Sequence, residues 1–382
     1  MTATAPMTTV LLDPKPTPKP NPNLKPNPNA VPVPPPPRRR SCEEPSGCGK
    51  FVNITEGMTT ENIDYAKLCS SLWSYMRNYS PDGPRPQYKP EIILKLLERS
   101  KEALKKDAMI VKVNGPVVLF GPLYGEGDSM ITLMSLAKAM PPDVTYVFLG
   151  CYIGNGFAQL ECFFYVLSLK LLHPNKVVLL KGHHEESVSM ELLKLKDWLY
   201  ARGVTQTVHI EEIIVEMKRT GNFMSAGSIL NGKILCMPGG PGPCLRERGL
   251  KALAALKKGM QEVPDKKMIM EAAWSVLLLN ESQKDSHGMP FFTQLQATEF
   301  CKKHNFKCMI RGRQMVDHGF LNKPKEVITL ISAVAYLDNF RNYAAAISIS
   351  KNKGRVVRYK MEEGEQLSLE LVKPGIGRNA ML

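Results

Sequence analysis

Five glycine-containing turns hold the residues whose types and spacing can support chemistry in this chain of 382 residues. Each turn directly follows a short apolar run, which predicts a strand that ends at the turn. The turns are residues 121–125, 150–156, 181–185, 238–240 and 311–314. In α/β proteins, sites form where strands end and where glycine lets the backbone approach a ligand. Five such turns in one chain therefore predict the scaffold of an active site.

The side chains in these turns are not those of a two-metal hydrolase. Such a centre needs carboxylate and imidazole ligands around two ions that lie about 3.5 to 4 Å apart. The turn positions carry instead Pro122, Tyr124, Cys151, Gly154, His183, Pro238 and Arg313. The scaffold is therefore predicted without the usual hydrolytic ligands.

Cys151, His183 and His184 suggest two other kinds of site. Thiolate and imidazole ligands suit a single Zn²⁺ ion, but a structural zinc needs four ligands, so Tyr124 or Asp128 would have to complete the set. A nucleophilic pair of Cys151 and His183 is the second alternative, although no phosphate-binding loop with a following arginine accompanies it. A third interpretation, which the sequence favours, is that Cys151 is a small buried residue at a strand end.

The elements that must position these turns alternate along the first half of the chain. Strands are predicted at 117–120, 146–149 and 177–180, with helices at 129–140 and 157–172 between them. This alternation predicts an α/β domain with a mixed or parallel sheet.

Strands become more frequent beyond residue 230. They are predicted at 234–237, 307–311, 327–332, 345–350 and 356–359. Two facing sheets with helices outside would accommodate them. Further helices are predicted at 187–201 and 209–218.

Both ends of the chain differ in composition from its centre. Residues 1–40 hold 13 of the 30 prolines, no Phe, Trp or Tyr, and +5 of the formal net charge of +14. Such a segment cannot bury enough apolar surface to fold, which predicts a polyproline-II-like, solvated tail over residues 1–44. A ligand for a proline-binding module is the functional alternative. A second flexible tail is predicted over residues 363–382, which leaves one domain over residues 45–362.

Composition also restricts location and partners. The nine cysteines are an odd number without a Cys-x-x-Cys pair, which predicts free thiols in a reducing compartment, the cytoplasm with the nucleus as a second location. No apolar run approaches the ~18 to 20 residues of a membrane span, and no secretory signal opens the chain. Because no helix carries a basic stripe with interleaved aromatic residues, neither nucleic acid nor membrane is expected as a partner.

Several blocks of the chain together resemble those of a known family. In order and spacing they resemble the signature blocks of the metal-dependent serine/threonine phosphoprotein phosphatases, most of all the type 1 catalytic subunit. The blocks are residues 121–126, 148–156, 179–185, 235–240, 274–275, 309–314 and 332–336. The resemblance covers about residues 62–361 and implies the calcineurin-like metallophosphoesterase fold, with two facing mixed sheets flanked by helices in four layers, αββα.

The resemblance also implies that the catalytic motifs are degenerate. The family binds two divalent metals such as Mn, Fe or Zn. Its six ligand positions correspond here to Pro122, Tyr124, Cys151, His183, Pro238 and Arg313. The supporting Asp and the two phosphate-binding Arg positions correspond to Gly154, Asn155 and His287. Only the general-acid position is retained, as His184.

We therefore expect no bound metal cofactor and a catalytically inactive phosphatase relative that binds proteins. A guanidinium at Arg313 would repel a dication, and Pro238 offers no side-chain ligand. The expected partners are phosphorylated segments, bound by Arg311, Arg313 and Lys181, or phosphatase regulators. In the alternative without a ligand, Arg313 forms an internal ion pair with Glu185 or Glu126.

Two further points of the resemblance affect the expected function. The alternative is an active phosphoprotein hydrolase with a metal site rebuilt around Cys151, His183 and His184.

Type 1 phosphatases also dock partners in an apolar groove, where Ile234 matches but Cys308 and Asn322 replace two other groove residues. This replacement weakens the expectation that partners are shared.

Overall fold

The computed structural model describes most of the chain between residues 50 and 372. The described ranges are 50–259, 263–279, 288–338, 340–350, 353–361 and 367–372. The predicted N-terminal tail, His287 and residues 373–382 lie outside the described residues.

Short strands build the centre of the fold. In chain order they are β1 (Phe51–Asn53), β2 (Arg85–Gln87), β3 (Ile110–Val113), β4 (Val117–Phe120), β5 (Thr145–Phe148), β6 (Val177–Leu179), β7 (Gly227–Leu230), β8 (Ile234–Met237), β9 (Val276–Leu278), β10 (Phe291–Thr293), β11 (Cys308–Arg311), β12 (Phe320–Asn322), β13 (Val327–Leu330), β14 (Ala344–Ser350), β15 (Lys353–Met361) and β16 (Leu367–Val372). Most of them are only three or four residues long.

Helices surround these strands. In chain order they are α1 (Tyr65–Arg77), α2 (Pro90–Lys105), α3 (Gly127–Ala137), α4 (Gln159–Leu172), α5 (Ser187–Leu192), α6 (Leu195–Tyr200), α7 (Thr207–Gly221), α8 (Pro243–Arg248), α9 (Leu250–Ala254), α10 (Val263–Trp274) and α11 (Gln294–Lys303). Two 3-10 segments, His183–Glu185 and Tyr336–Asp338, lie in turns of the candidate site.

Two six-stranded mixed sheets organise the domain. Sheet I has the order β16-β15-β14-β4-β5-β6, in which β4, β5 and β6 are parallel and β14 to β16 are antiparallel. Sheet II has the order β12-β13-β11-β8-β7-β3, with antiparallel pairing at β12-β13 and β7-β8. The remaining strands form two short parallel pairs, β1-β2 and β9-β10.

The two sheets face each other across an apolar layer. Val117 and Leu119 of β4 share a buried cluster with Ile310 and Leu330 of sheet II. Phe120 of β4 belongs instead to the cluster on the outer, helix-covered side. Because both faces of the central strands are buried, these strands consist of continuous apolar runs.

Helices cover both outer faces. α1 to α4 pack on sheet I, whereas α8 to α11 pack on sheet II through a separate cluster that includes Leu253, Met268 and Phe300. The order of layers is therefore helix, sheet, sheet, helix, and the predicted αββα architecture is confirmed. The carboxyl ends of β4, β5, β6, β8 and β11 lead into the five predicted turns.

Three of the differences from the sequence-based expectations have a local cause. The helix predicted at 187–201 is divided into α5 and α6, because Lys194 adopts a left-handed conformation with φ = 49°. β3 and β7 were not predicted, since Lys112 and Gly227 interrupt their apolar patterns. β16 places six residues of the predicted tail at the edge of sheet I, where their backbone pairs with β15 in an antiparallel register.

Helix length and hydropathy show whether any helix could span a membrane. None of the helices within the described ranges is long and apolar enough to cross a membrane.

Candidate functional site

The turns after β4 and β5 are joined by backbone hydrogen bonds. The carbonyl oxygen of Cys151 accepts from the amides of Leu123 (3.1 Å) and Tyr124 (2.7 Å). The third turn lies against them, because a Cβ atom at Gly182 would come within 2.2 Å of the Cys151 nitrogen. The structure thus brings the predicted positions of three turns of sheet I into direct contact.

The turns from the two sheets also meet. A Cβ atom at Gly312 would lie 2.5 Å from Cδ of Pro122, and the Gly312 amide donates to the Pro238 carbonyl over 2.9 Å. Pro122 and Pro238 are both buried. Two of the six positions that the resemblance assigns to metal ligands therefore lie at a close-packed contact that contains no side-chain ligand atom.

Tyr124 fills another of these positions with an aromatic ring. It has φ = 50° and is only 3% exposed. Its ring centroid lies 4.5 Å from that of Tyr336 and 5.1 Å from that of His184. Burial raises the pKa of the Tyr124 phenol well above its ordinary value. The side chain is thus a neutral packing element rather than an anionic ligand.

Cys151 and His183 form a buried pair. The Cys151 sulfur lies 3.0 Å from Nδ1 of His183. Burial raises the pKa of the Cys151 thiol and lowers the pKa of His183 well below its usual value, and the Arg313 charge lowers the His183 pKa further. Both groups are therefore neutral near pH 7. A neutral pair does not provide the thiolate that nucleophilic catalysis requires.

Glu185 holds the turn that carries Cys151. Its two carboxylate oxygens accept from the backbone amides of Cys151 (2.7 Å) and Tyr152 (2.9 Å). Burial raises the pKa of Glu185 to about 7, although these hydrogen bonds oppose the rise. The carboxylate is thus committed to the backbone of the turn, not to Arg313.

Arg313 places its guanidinium beside an aromatic side chain and a methionine sulfur. Cζ lies 5.2 Å from the ring centroid of Trp274, and Nη2 lies 3.9 Å from the sulfur of Met289. Its Nε atom is buried and has no hydrogen-bond partner within the described residues. The positive charge lowers the pKa values of His183 and His184, secondary to burial. A cationic group therefore occupies the place predicted for the sixth metal ligand.

Arg311 and Lys181, the other two candidate phosphate-binding residues, have protein partners. Arg311 is fully buried, and its guanidinium donates to the carbonyl of Gly239, to Oε1 of Gln314 (2.7 Å) and to the carbonyl of Ser275 (3.0 Å). Direct phosphate binding by Arg311 stays a prediction, and it would require the guanidinium to exchange one of these protein acceptors for the phosphate.

Lys181 is likewise bound internally. Its Nζ atom lies 2.8 Å from Oε1 of Glu186 and donates to Oδ1 of Asn222 over 3.0 Å. Only 6% of the residue is exposed. The role of Lys181 as a direct phosphate ligand likewise stays a prediction, and its Nζ atom already bridges Glu186 and Asn222 of the scaffold.

His184, the retained general-acid position, is oriented by a hydrogen bond. Its Nδ1 atom lies 2.7 Å from the carbonyl oxygen of Ile153. Burial lowers the pKa of His184 to about 4, and the Arg313 charge contributes in the same direction. The imidazole is therefore neutral at pH 7, whereas a general acid must carry a proton to donate.

The three positions that the resemblance assigns to the supporting Asp and the phosphate-binding Arg residues carry Gly154, Asn155 and His287. Gly154 leaves no room for a side chain, because a Cβ atom there would lie 2.6 Å from the backbone oxygen of Tyr124. Asn155 is exposed, and His287 lies outside the described residues. The sequence did not indicate that Trp274 lies against Arg313 and His183, or that Tyr336 packs on Tyr124. The only signal was their presence in the blocks at 274–275 and 332–336.

Comparison with known proteins gives a consistent group of relatives. No protein-family model matches the chain. It is 26% identical over 284 residues to serine/threonine-protein phosphatase C23G10.1 of Caenorhabditis elegans, which spans 74% of this chain and 61% of that protein. It is 28% identical over 271 residues to phosphatase PP1-1 of Saccharomyces cerevisiae, covering 67% of this chain and 81% of the relative. The chain is a relative of the serine/threonine protein phosphatases.

Other comparisons agree with this relationship. Phosphatase SIT4 of Candida albicans is 27% identical over 278 residues, which cover 67% of this chain and 82% of SIT4. The structure of a Saccharomyces cerevisiae serine/threonine phosphatase with similarity to human PP5 superposes with a TM-score of 0.62 at 17% identity, over 74% of this chain and 89% of that one. This structural likeness shows the phosphatase fold.

The residues of this phosphatase relative do not fit a two-metal centre. Within the ranges that the structure describes, no group of three or more His, Cys, Asp or Glu side chains is arranged to hold a metal ion. Cys151 and His183 are the two implied ligand positions whose side chains are soft donors, and they bond to each other. A phenol, two prolines and a guanidinium occupy the rest. No step of a hydrolytic reaction can be assigned to metals at this site.

Proposed function

We propose that this chain is a phosphatase-fold protein that does not hydrolyse phosphoesters and that acts by binding other proteins. The observation that carries the proposal is the position of the Arg313 guanidinium, which lies over Trp274 in the cleft and lowers the pKa values of both His183 and His184. A binuclear centre in the same place would bring dications close to this cation in a partly desolvated cleft, which costs several kcal/mol on an order-of-magnitude basis.

Hydrolysis without metals would depend on His184. A positioned acid or base contributes about 10² to 10⁴ in rate, far below what a phosphate ester requires. His184 is also neutral at pH 7, because its pKa is lowered to about 4. The site therefore lacks both the activated water and the protonated acid of the family reaction.

The test of inactivity has two readouts. Untagged protein, purified without added metal or chelator, is subjected to elemental analysis and then assayed with a phenyl phosphate substrate in the presence of Mn²⁺. We expect no stoichiometric metal and no turnover above that of heat-treated protein. Two ions per chain, or chelator-sensitive turnover that is lost in His184→Ala, would overturn the proposal.

Phosphorylated segments are the ligands we propose for the cleft itself. Arg313 has a buried Nε atom without a hydrogen-bond partner in the described part of the chain, and a guanidinium binds phosphate oxygens through paired hydrogen bonds. The two neutral imidazoles beside it can donate or accept hydrogen bonds without repelling the anion strongly. A bound phosphate would thus neutralise the positive charge of Arg313 beside Trp274.

Phosphopeptide binding is tested by fluorescence anisotropy with a labelled phosphoserine peptide and its unphosphorylated counterpart. Arg313→Ala is expected to abolish the preference for the phosphorylated peptide. Arg77→Ala, which removes an exposed arginine at the end of α1, is the charge-matched control and should preserve it. Equal affinities of wild type and Arg313→Ala for the phosphorylated peptide would overturn phosphate binding by Arg313. The proposed inactivity would not be affected, because the metal assay tests it separately.

A rebuilt metal site remains the competing function, and one distance favours it. The 3.0 Å separation of the Cys151 sulfur and His183 Nδ1 would allow both atoms to face one Zn²⁺ ion after a small movement. In that case elemental analysis should find one zinc per chain, and Cys151→Ser should remove it. A zinc content that Cys151→Ser does not change would exclude this site.

A further inference from the structure

A second candidate binding site lies at the free edge of sheet II, away from the catalytic turns. β3 is the last strand of this sheet and pairs only with β7 among the described residues. Beside it, α9 and the segment between α11 and β11 enclose a recess of about 510 Å³. This volume falls within the range of ordinary ligand sites, roughly 300 to 1,000 Å³.

The floor of the recess is apolar. Ile110 of β3 and Ile229 of β7 lie on the same face of the sheet, and Leu250 and Phe306 form the opposite walls. His304 lies in the wall as well, and its Nε2 atom is buried without a hydrogen-bond partner within the described ranges. The recess is therefore suited to apolar side chains and also contains an unsatisfied polar atom.

Positive charge borders this floor. Lys112 and Lys251 line the recess, are exposed, and form no ion pair within the part of the chain that the structure describes. Two more exposed lysines directly follow lining residues in the chain, Lys233 after Gly232 and Lys307 after Phe306. An apolar floor lined by two cations is complementary to a ligand that alternates apolar and acidic groups.

The strand edge favours an extended ligand. The register pairs Lys112 with Ile229, so that residues 110 and 112 point to the recess face while Val111 and Val113 point to the core between the sheets. An edge strand can pair with one more strand through its outer backbone N–H and C=O groups. Lys112, in the middle of β3, disfavours pairing with an apolar or basic strand. An acidic strand would pair with that lysine.

We propose that this recess binds an extended acidic segment of a partner protein. Apolar side chains of the segment fill the space between Ile110, Leu250 and Phe306, and its carboxylates pair with Lys112 and Lys251. The inference is independent of the proposed inactivity, because no residue of the recess belongs to the catalytic turns. A nucleic acid is less suitable, since its bases would have to reach an apolar floor from a phosphate backbone held by the rim.

The experiment measures binding of two labelled peptides to the full chain. One peptide alternates glutamate and leucine, and the other alternates lysine and leucine. The variant Lys112→Glu/Lys251→Glu reverses the rim. Its control, Lys323→Glu/Lys325→Glu, makes the same change in net charge at exposed positions by β12, the opposite edge of sheet II. A third variant, Ala254→Trp, fills the recess from an exposed position without changing the charge.

We expect wild type to bind the glutamate peptide and not the lysine peptide. Lys112→Glu/Lys251→Glu should weaken binding about tenfold, Ala254→Trp should weaken it comparably, and the control pair should stay within about twofold. Circular dichroism checks that each variant is folded. The proposal is overturned by failure of wild type to bind, by equal losses in both charge-reversed variants, or by a single-stranded oligonucleotide that binds in place of the peptide and depends on the same lysines.

Discussion

A Cβ atom at Gly154 would lie 2.6 Å from the backbone oxygen of Tyr124. The contact couples two positions singled out by the resemblance: Gly154, at the position it assigns to the supporting Asp, and Tyr124, at a position it assigns to a metal ligand. The absence of a side chain at one position allows the close approach of the backbone at the other.

We therefore predict that Gly154→Ala destabilises the protein. The methyl group would meet backbone atoms that cannot rotate away, and overpacking of this kind costs about 1 to 3 kcal/mol. Urea denaturation gives the free energy of unfolding. Gly83→Ala is the control, because its Cβ atom would meet neighbours no closer than 3.2 Å at a half-buried site. Equal stability of wild type and Gly154→Ala would show that the turn relaxes and that the contact does not restrict residue 154.

Replacement of Tyr124 should show that its ring is a packing element. Tyr124→Ala removes a 3% exposed aromatic ring that packs on Tyr336, and such truncations cost about 3 to 5 kcal/mol. Tyr124→Phe keeps the ring and should cost less than about 1.5 kcal/mol. Chemical denaturation of both variants distinguishes the two. A loss in Tyr124→Phe as large as that in Tyr124→Ala would mean that the hydroxyl, which both variants remove, and not the ring has the structural role.

His184 should make the protein sensitive to acid. Its pKa is 6.5 in the unfolded chain and about 4 in the folded one, so the unfolded state binds the proton first as the pH falls. Stability is therefore present above about pH 6.5 and is lost progressively down to pH 4, by up to about 3 kcal/mol. His184→Asn places an amide donor near the Nδ1 position and does not titrate.

Unfolding curves of wild type and His184→Asn at pH 7.5 and pH 4.5 test this expectation. The raised pKa of Glu185 works in the opposite direction, since its contribution falls as the pH rises through about 7, but it is common to both proteins and cancels. The advantage of wild type over the variant should shrink at the lower pH. Parallel losses in the two proteins would show that His184 titrates normally in the folded state.

A buried ion pair fixes the helical layer over sheet I. Nε of Arg202 lies 2.7 Å from Oε1 of Glu161, which also accepts from the hydroxyl of Tyr88 over 2.7 Å. Arg202→Met should cost about 3 to 5 kcal/mol, because it leaves a buried carboxylate without its cation. The double variant Glu161→Leu/Arg202→Met should recover part of this loss. A double variant that is less stable than Arg202→Met would show that the remaining contacts of Glu161 outweigh its unpaired charge.

Much of the scaffold could be predicted from the sequence, for physical reasons that apply to particular elements. The continuous apolar runs of β4 and β5 indicate buried strands, because a strand covered on both faces requires apolar side chains on both. The glycines that follow indicate that each strand ends in a turn. β3 was missed since Lys112 lies in its centre, and an edge strand tolerates the exposed lysine that a central strand would exclude.

The candidate site could be located from the sequence but not described. The order of the blocks indicated which residues replace the metal ligands. It did not indicate that Glu185 bonds to the amides of Cys151 and Tyr152, or that Arg313 lies over Trp274. These contacts join turns that are far apart in the chain, and their side-chain directions depend on the tertiary packing rather than on local spacing.

The contact between Gly312 and Pro122, beside Pro238, limits which single substitutions the two prolines can accept. Both prolines are buried, and a Cβ atom at Gly312 would already lie 2.5 Å from Cδ of Pro122. A polar side chain introduced alone at position 122 or 238 would therefore be buried at a close-packed contact, which costs free energy unless the new group finds a hydrogen-bond partner. Under the proposed function, a single substitution at this contact would lower stability before it could contribute a metal ligand, so several positions would have to change together to give a ligand set.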